Sequence, residues 1–80
     1  MDFKKMKVSL ETGCTFVFIK KGNYTGVRGY DKDGKMMFPI REVLKLNEPQ
    51  VGGKLSFSYD AEIDTDYFET STRIVSIEKN

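Results

Sequence analysis

The 80-residue sequence contains no histidine, no tryptophan and only one cysteine. Histidine is the commonest general base and zinc ligand, so its absence removes the usual catalytic triads and most zinc and iron sites. The single cysteine, Cys14, rules out an internal disulfide bond. The sequence shows neither a signal-peptide pattern nor an apolar run long enough to span a bilayer. We therefore expect a cytoplasmic protein that is not an enzyme, with no catalytic residue, metal, cofactor or membrane contact.

The length of the chain predicts the number of domains, whereas its net charge does not indicate the kind of partner. The length predicts a single domain over residues 1–80. Within it, residues 1–12 are an N-terminal extension or the start of the first strand, and residues 13–80 form the body of the domain. The net charge of +1 gives no overall argument for nucleic acid or membrane.

Residues 13–43 have the pattern of a three-stranded antiparallel meander. Apolar or aromatic runs at 14–19, 24–30 and 35–40 are separated by turn signals at 20–23 and 31–34. Asp31 and Gly34 are typical of a hairpin turn, because the carboxylate caps backbone donors and the glycine accepts a positive φ. Pro39 cannot donate a ladder hydrogen bond, so the third strand ends there or lies at an edge.

The C-terminal half adds two more strands. Leu55, Phe57 and Tyr59 alternate with serines, which is the clearest half-buried strand pattern in the chain. An acidic loop at 60–66 follows, and a fifth strand is predicted within 67–77.

Two short segments complete the predicted fold. Residues 41–46 are long enough for one helical turn. The alternation of Met6, Val8 and Leu10 favours a strand that enters the first β-run, with a short helix as the alternative. The expected core contains Phe16, Phe18, Phe38, Phe57 and Phe68. The sequence thus predicts an all-β, five-stranded antiparallel barrel with a short helical turn between strands 3 and 4, an OB-fold first and an SH3-like barrel second.

The second and third predicted strands each have two distinct faces, because side chains alternate along a strand. On the second strand, one side carries Tyr24, Gly26, Arg28 and Tyr30, and the other carries Thr25, Val27 and Gly29. The first set mixes aromatics with a cation and suits an exposed surface, whereas the second set suits a tight interior. On the third strand, Met36, Phe38 and Ile40 are expected on one face, and Met37 and Pro39 on the other.

Four segments of this chain resemble the cold-shock domain family, a compact OB-fold that binds single-stranded nucleic acid. Residues 13–18 stand where the family has Gly-Thr-Val-Lys-Trp-Phe, and residues 22–27 stand at its Lys-Gly-(Tyr/Phe)-Gly-Phe-Ile. Residues 35–43 match its third-strand motif, and residues 51–57 match its Glu-Gly-Gln-Lys-Val-x-Phe. The resemblance covers most of the chain from residue 13 on and implies a barrel that binds single-stranded RNA or DNA.

The departures from the family fall at its base-stacking positions. Tyr24 keeps one stacking aromatic, but Val17 stands for a Trp, Gly26 for an aromatic, Met37 for a Phe and Pro39 for a His. Stacking contributes about 1–3 kcal/mol per base. The resemblance therefore implies a binding face with few stacking contacts.

The leading function is a non-enzymatic, cold-shock-like nucleic-acid-binding module. Its expected binding residues are Tyr24, Arg28, Tyr30 and Met37 on one face, with Lys20, Lys21 and Lys35 at the rim. The tyrosines would stack on bases, while the arginine and the lysines would contact phosphates.

The alternative is a protein-interaction module, such as a small phage or mobile-element regulator. Tyr, Met and Arg are enriched at the centres of protein interfaces. A strand that ends at Pro39, or the N-terminal strand, would offer an edge for strand addition. The acidic loop would dock on a basic partner or mimic nucleic acid. The oligomeric state is open in both cases.

Overall fold

Six antiparallel strands form a closed barrel in the structure, a computed structural model that describes residues 2–80. The strands are β1 (Lys5–Leu10), β2 (Thr15–Lys21), β3 (Tyr24–Tyr30), β4 (Met36–Leu46), β5 (Lys54–Asp60) and β6 (Thr65–Lys79). Each strand pairs with the next one in the chain, and β6 closes the barrel by pairing with β1. The connectivity is therefore that of an up-and-down barrel.

The predicted all-β antiparallel barrel is confirmed, but the expected number of strands, five, is wrong. The sixth strand is β1, whose alternating Met6, Val8 and Leu10 are all buried. It lies between β2 and β6 and pairs with both. An OB-fold is a five-stranded Greek-key barrel, so the observed barrel differs from it in strand number and in strand order.

The helical turn expected at residues 41–46 is also wrong, because this segment continues β4. Val43 lies opposite Tyr59 and Leu46 lies opposite Phe57, so the segment forms a ladder with β5. The ladder pairs backbone groups of the segment, and Val43 is buried. Residues 2–80 contain no helix that is long and apolar enough to cross a membrane.

The barrel interior is filled by interlocking aromatic rings. Phe16, Phe18 and Phe57 are completely buried, and Phe38 and Phe68 pack against them from partly buried positions. The rings of Phe18 and Phe57 meet edge to face at 5.5 Å, and those of Phe38 and Phe57 at 5.7 Å. The core positions predicted for these five phenylalanines are therefore confirmed.

A bulge near Pro39 changes which side chains of β4 face the interior. Val27 lies opposite Arg41 and Gly29 opposite Phe38, so a step of two residues on β3 matches three on β4. Pro39 falls within this bulge, where a residue without an N–H is tolerated. The extra residue reverses the alternation, so Phe38 packs on the core while Ile40 is 59% exposed. The expectation that these two side chains share a face is therefore wrong.

Gly29 leaves the space in which two of the core rings sit. A Cβ atom at this position would lie 2.7 Å from Cε2 of Phe16 and 2.9 Å from Cβ of Phe38. Neither ring can retreat easily, since both are held by the other aromatics of the core. A side chain at this position is therefore incompatible with the observed packing.

We predict that Gly29→Ala lowers the free energy of unfolding by about 1–3 kcal/mol, the usual effect of overpacking a core. Urea unfolding followed by circular dichroism measures the change. Gly26→Ala is the matched control on the opposite face of β3, because the three atoms nearest to its Cβ would all belong to the flexible side chain of Tyr24. Equal stability of the two variants would contradict this account of the core.

Candidate functional site

The outer surface of β1, β2 and β3 brings cations and apolar side chains into continuous rows. In one row, Lys7 lies opposite Val17, which lies opposite Arg28. In the next row, Lys5 lies opposite Ile19, which lies opposite Gly26. Directly opposed residues of an antiparallel pair point to the same face of the sheet. The two rows therefore form one outward-facing surface.

A groove of about 230 Å³ crosses this surface. Its apolar lining comes from Val17, Ile19 and Ile40, and its polar lining comes from Lys21, Tyr24 and Arg28. We call it the outer groove. It combines an apolar lining with two cations and one aromatic ring, which suits a flat ligand that carries negative charge.

Gly26 explains why there is a groove at this point of the sheet. It occupies the outer face between Tyr24 and Arg28 but has no side chain to fill the row. The ring of Tyr24 leans over it, with Cε1 3.0 Å and the hydroxyl oxygen 3.2 Å from where a Cβ would lie. The tyrosine thus lies along the sheet and remains 44% exposed.

Arg28 is a cation without an acidic partner in this structure. Among residues 2–80 the guanidinium forms no salt bridge, and its Nε is buried without a hydrogen-bond acceptor. An unpaired charged donor is costly once water is excluded from it. A ligand that supplies an anionic oxygen at the outer groove would remove that cost.

The charges around the outer groove are mainly positive. Four cations lie on this surface: Lys5, Lys7, Lys21 and Arg28. Two acids border it, Glu42 opposite Gly26 and Glu78 opposite Lys7. The surface is therefore locally basic although the whole chain carries a net charge of only +1.

The structure brings three of the predicted binding residues together. Tyr24, Arg28 and Lys21 line the outer groove. Tyr30 points to the same side but lies partly buried at the other end of β3, outside the groove lining.

The other three predicted residues lie elsewhere. Met37 lines a separate depression with Cys14, Phe16 and Phe68, because the bulged β4 carries it toward the end of the barrel. Lys20 lies on the face of β2 that points away from the outer groove, with its Nζ 5.2 Å from the ring centroid of Phe3. Lys35 belongs to the β3–β4 hairpin, where its N–H donates to Asp31 Oδ1. The expectation that Met37 shares a face with Tyr24 is therefore wrong.

Sequence reasoning missed Lys5 and Lys7 as members of this surface. Their alternation with the apolar residues of β1, which are buried in the structure, can be read from the sequence. The spacing of residues does not reveal that β1 pairs with β2, and this pairing places the two lysines beside Val17 and Ile19.

An acidic hairpin joins β5 and β6. Glu62 forms a 3.0 Å salt bridge with Nη1 of Arg41, and the Tyr59 hydroxyl donates to Asp66 at 3.3 Å. Desolvation, followed by the charge and the hydrogen bond of Asp66, raises the pKa of the Tyr59 phenol. The packing of its ring against Phe38 and Phe57 accounts for the desolvation.

No family model matches the chain, and no curated protein or solved structure matches it. Function must therefore be inferred from the chemistry of the outer groove and its surroundings.

The raised pKa of Tyr59 predicts a stability change in alkali. A phenol whose folded pKa exceeds its unfolded value of about 10 stabilises the fold below that value, and this contribution is lost as the pH rises through the folded pKa. We expect Tyr59→Phe to unfold with a shallower loss of stability above pH 10 than the parent protein, measured by urea titrations at neutral and alkaline pH. Asp66→Asn should lower the pKa of Tyr59 in a phenolate absorbance titration, and an unchanged titration would contradict the assigned cause.

Proposed function

We propose that this protein binds single-stranded nucleic acid, without catalysis, on the outer surface of β1–β3. The observation that carries the proposal is the unpaired guanidinium of Arg28 at a groove shared with Tyr24 and Lys21. Single-strand binding needs a cationic track for phosphates and an aromatic face for bases. Both requirements are met on this one surface.

Each part of the outer groove has a role in the proposed complex. The exposed ring of Tyr24 stacks on one base, and Val17 and Ile19 provide apolar contact for the neighbouring sugar or base. Arg28 rotates toward a phosphate, which gives its buried N–H an acceptor. Lys5 and Lys7 extend the phosphate track across β1.

The resemblance to the cold-shock family supports this proposal at two positions. Tyr24 stands at a stacking position of that family, and Val17, which replaces its tryptophan, also lines the outer groove. The proposed module is therefore cold-shock-like in its use of β2 and β3, although its strands follow an up-and-down order. Cations on β1 take over part of the affinity that the missing aromatics would have supplied.

For the alternative, a protein-interaction module, the N-terminal strand edge no longer counts in its favour, but the acidic hairpin still does. The N-terminal strand is paired on both sides, by β2 and β6, and so offers no free edge for strand addition. The acidic hairpin remains a candidate docking element, because its Ile63 is 98% exposed.

We predict that Tyr24→Ala weakens binding of a fluorescent single-stranded oligonucleotide by about 1–3 kcal/mol, the value of one stacked base. Arg28→Ala should weaken binding and reduce the slope of log K against log salt by about 0.7, as expected for one lost phosphate contact on a single strand. Fluorescence anisotropy at two or more salt concentrations, with DNA and RNA, measures both effects. Absence of binding at low salt would overturn the proposal.

A second prediction separates this surface from the binding face expected from the sequence, which had Lys35 at its rim. Lys7→Ala should weaken oligonucleotide binding and lower the salt slope, because Lys7 shares a row with Val17 and Arg28. Lys35→Ala is the matched control, since it removes the same charge from the hairpin at the far end of β3. If Lys35→Ala has the larger effect in the same anisotropy assay, the phosphate track does not cross β1.

A further inference from the structure

The hairpin between β5 and β6 presents an apolar side chain surrounded by acids. The turn is held by the Ala61 N–H, which donates to the carbonyl oxygen of Asp64 at 2.9 Å, and by the Glu62 N–H, which donates to Asp60 Oδ1 at 3.0 Å. Ile63 lies at its tip and is 98% exposed, so no other part of residues 2–80 covers it. An isoleucine held outward on an ordered turn is suited to contact with another molecule.

The hairpin and the outer groove carry opposite charges. Between residues 60 and 69 the chain has five acids, Asp60, Glu62, Asp64, Asp66 and Glu69, and no cation. Of these, only Glu62 forms a salt bridge within residues 2–80. The outer groove has an apolar lining and unpaired positive charge at Arg28. An apolar tip with flanking acids therefore complements an apolar groove with flanking cations.

We propose that the acidic hairpin of one molecule docks in the outer groove of a second copy of this chain. Ile63 would pack against Val17 and Ile19, and the carboxylates beside it would face Arg28. A molecule cannot make this contact with itself in the observed fold, because no hairpin residue lines its own groove and Glu62 is tied to Arg41.

The contact joins two different surfaces, so each molecule contributes one hairpin and one groove. Repeated head to tail, the contact builds open chains or rings, and made reciprocally between two molecules it closes a two-fold dimer. Its charge pairs lie near solvent, so association weakens as salt screens them. The contact uses the groove of the proposed function but does not require that nucleic acid binds there.

Sedimentation velocity across a concentration series, at low and at high salt, tests the proposal. The wild type should form concentration-dependent oligomers at low salt and dissociate at high salt. Ile63→Lys removes the hairpin contact and Arg28→Glu removes the groove contact, so each variant alone should be monomeric. Circular dichroism verifies their folding, and Lys21→Glu is a second groove variant should Arg28→Glu fail to fold.

Mixing the two variants provides the decisive arm of the experiment. The Ile63→Lys protein keeps its groove and the Arg28→Glu protein keeps its hairpin, so an equimolar mixture should form one-to-one complexes and nothing larger. A wild type that stays monomeric at low salt overturns the proposal, as does a mixture that fails to associate when the wild type does. A monomeric wild type that still binds an oligonucleotide would leave the proposed function intact, whereas self-association without oligonucleotide binding would remove only that function.

Discussion

The packing of aromatic rings against Gly29 is the constraint on which the barrel depends. Phe16 and Phe38 both press on the position where any other residue would place a Cβ. This close approach lets Phe38 meet both Phe57 and Phe68 edge to face inside a barrel built from a chain of only 80 residues. A chain of this size buries a smaller fraction of its surface than a larger domain does, so a dense aromatic interior compensates for limited core volume.

On the outer face of β3, a second glycine, Gly26, has the opposite effect, because its missing side chain leaves space open. Gly26 leaves a gap in the row between Ile19 and Glu42, and the ring of Tyr24 fills only part of it. The groove that remains is bordered on β4 by Ile40, which faces outward only because the bulge at Pro39 reverses the alternation. Core packing and groove shape are therefore coupled through β3 and β4, since both depend on glycine positions and on one bulge.

Local pattern in the sequence was enough to predict much of the fold and part of the site. The alternation at β3 and the turn chemistry of Asp31 and Gly34 depend on neighbouring residues, and the predicted strand and positive φ are both observed. The path of residues 41–46 was not predictable, because a six-residue segment fits one helical turn as well as a strand and only pairing with β5 decides. The roles of Lys7 and Met37 depend on which strand lies beside which, and that information is absent from the spacing of residues along the chain.

A low net charge conceals two strongly charged surfaces, and this separation determines how the two proposed ligands would compete. In the two proposed complexes, nucleic acid and the hairpin of another molecule would both offer anions to Arg28, so they could not occupy one groove together. In the proposed complex a single strand would also contact Lys5 and Lys7 along β1, and each phosphate contact would release counterions. The compact hairpin has one apolar anchor, Ile63, and would reach fewer cations, so it would gain less from that release. If both proposals hold, nucleic acid should displace the hairpin at low salt, and self-association should be favoured when nucleic acid is scarce and the protein is concentrated.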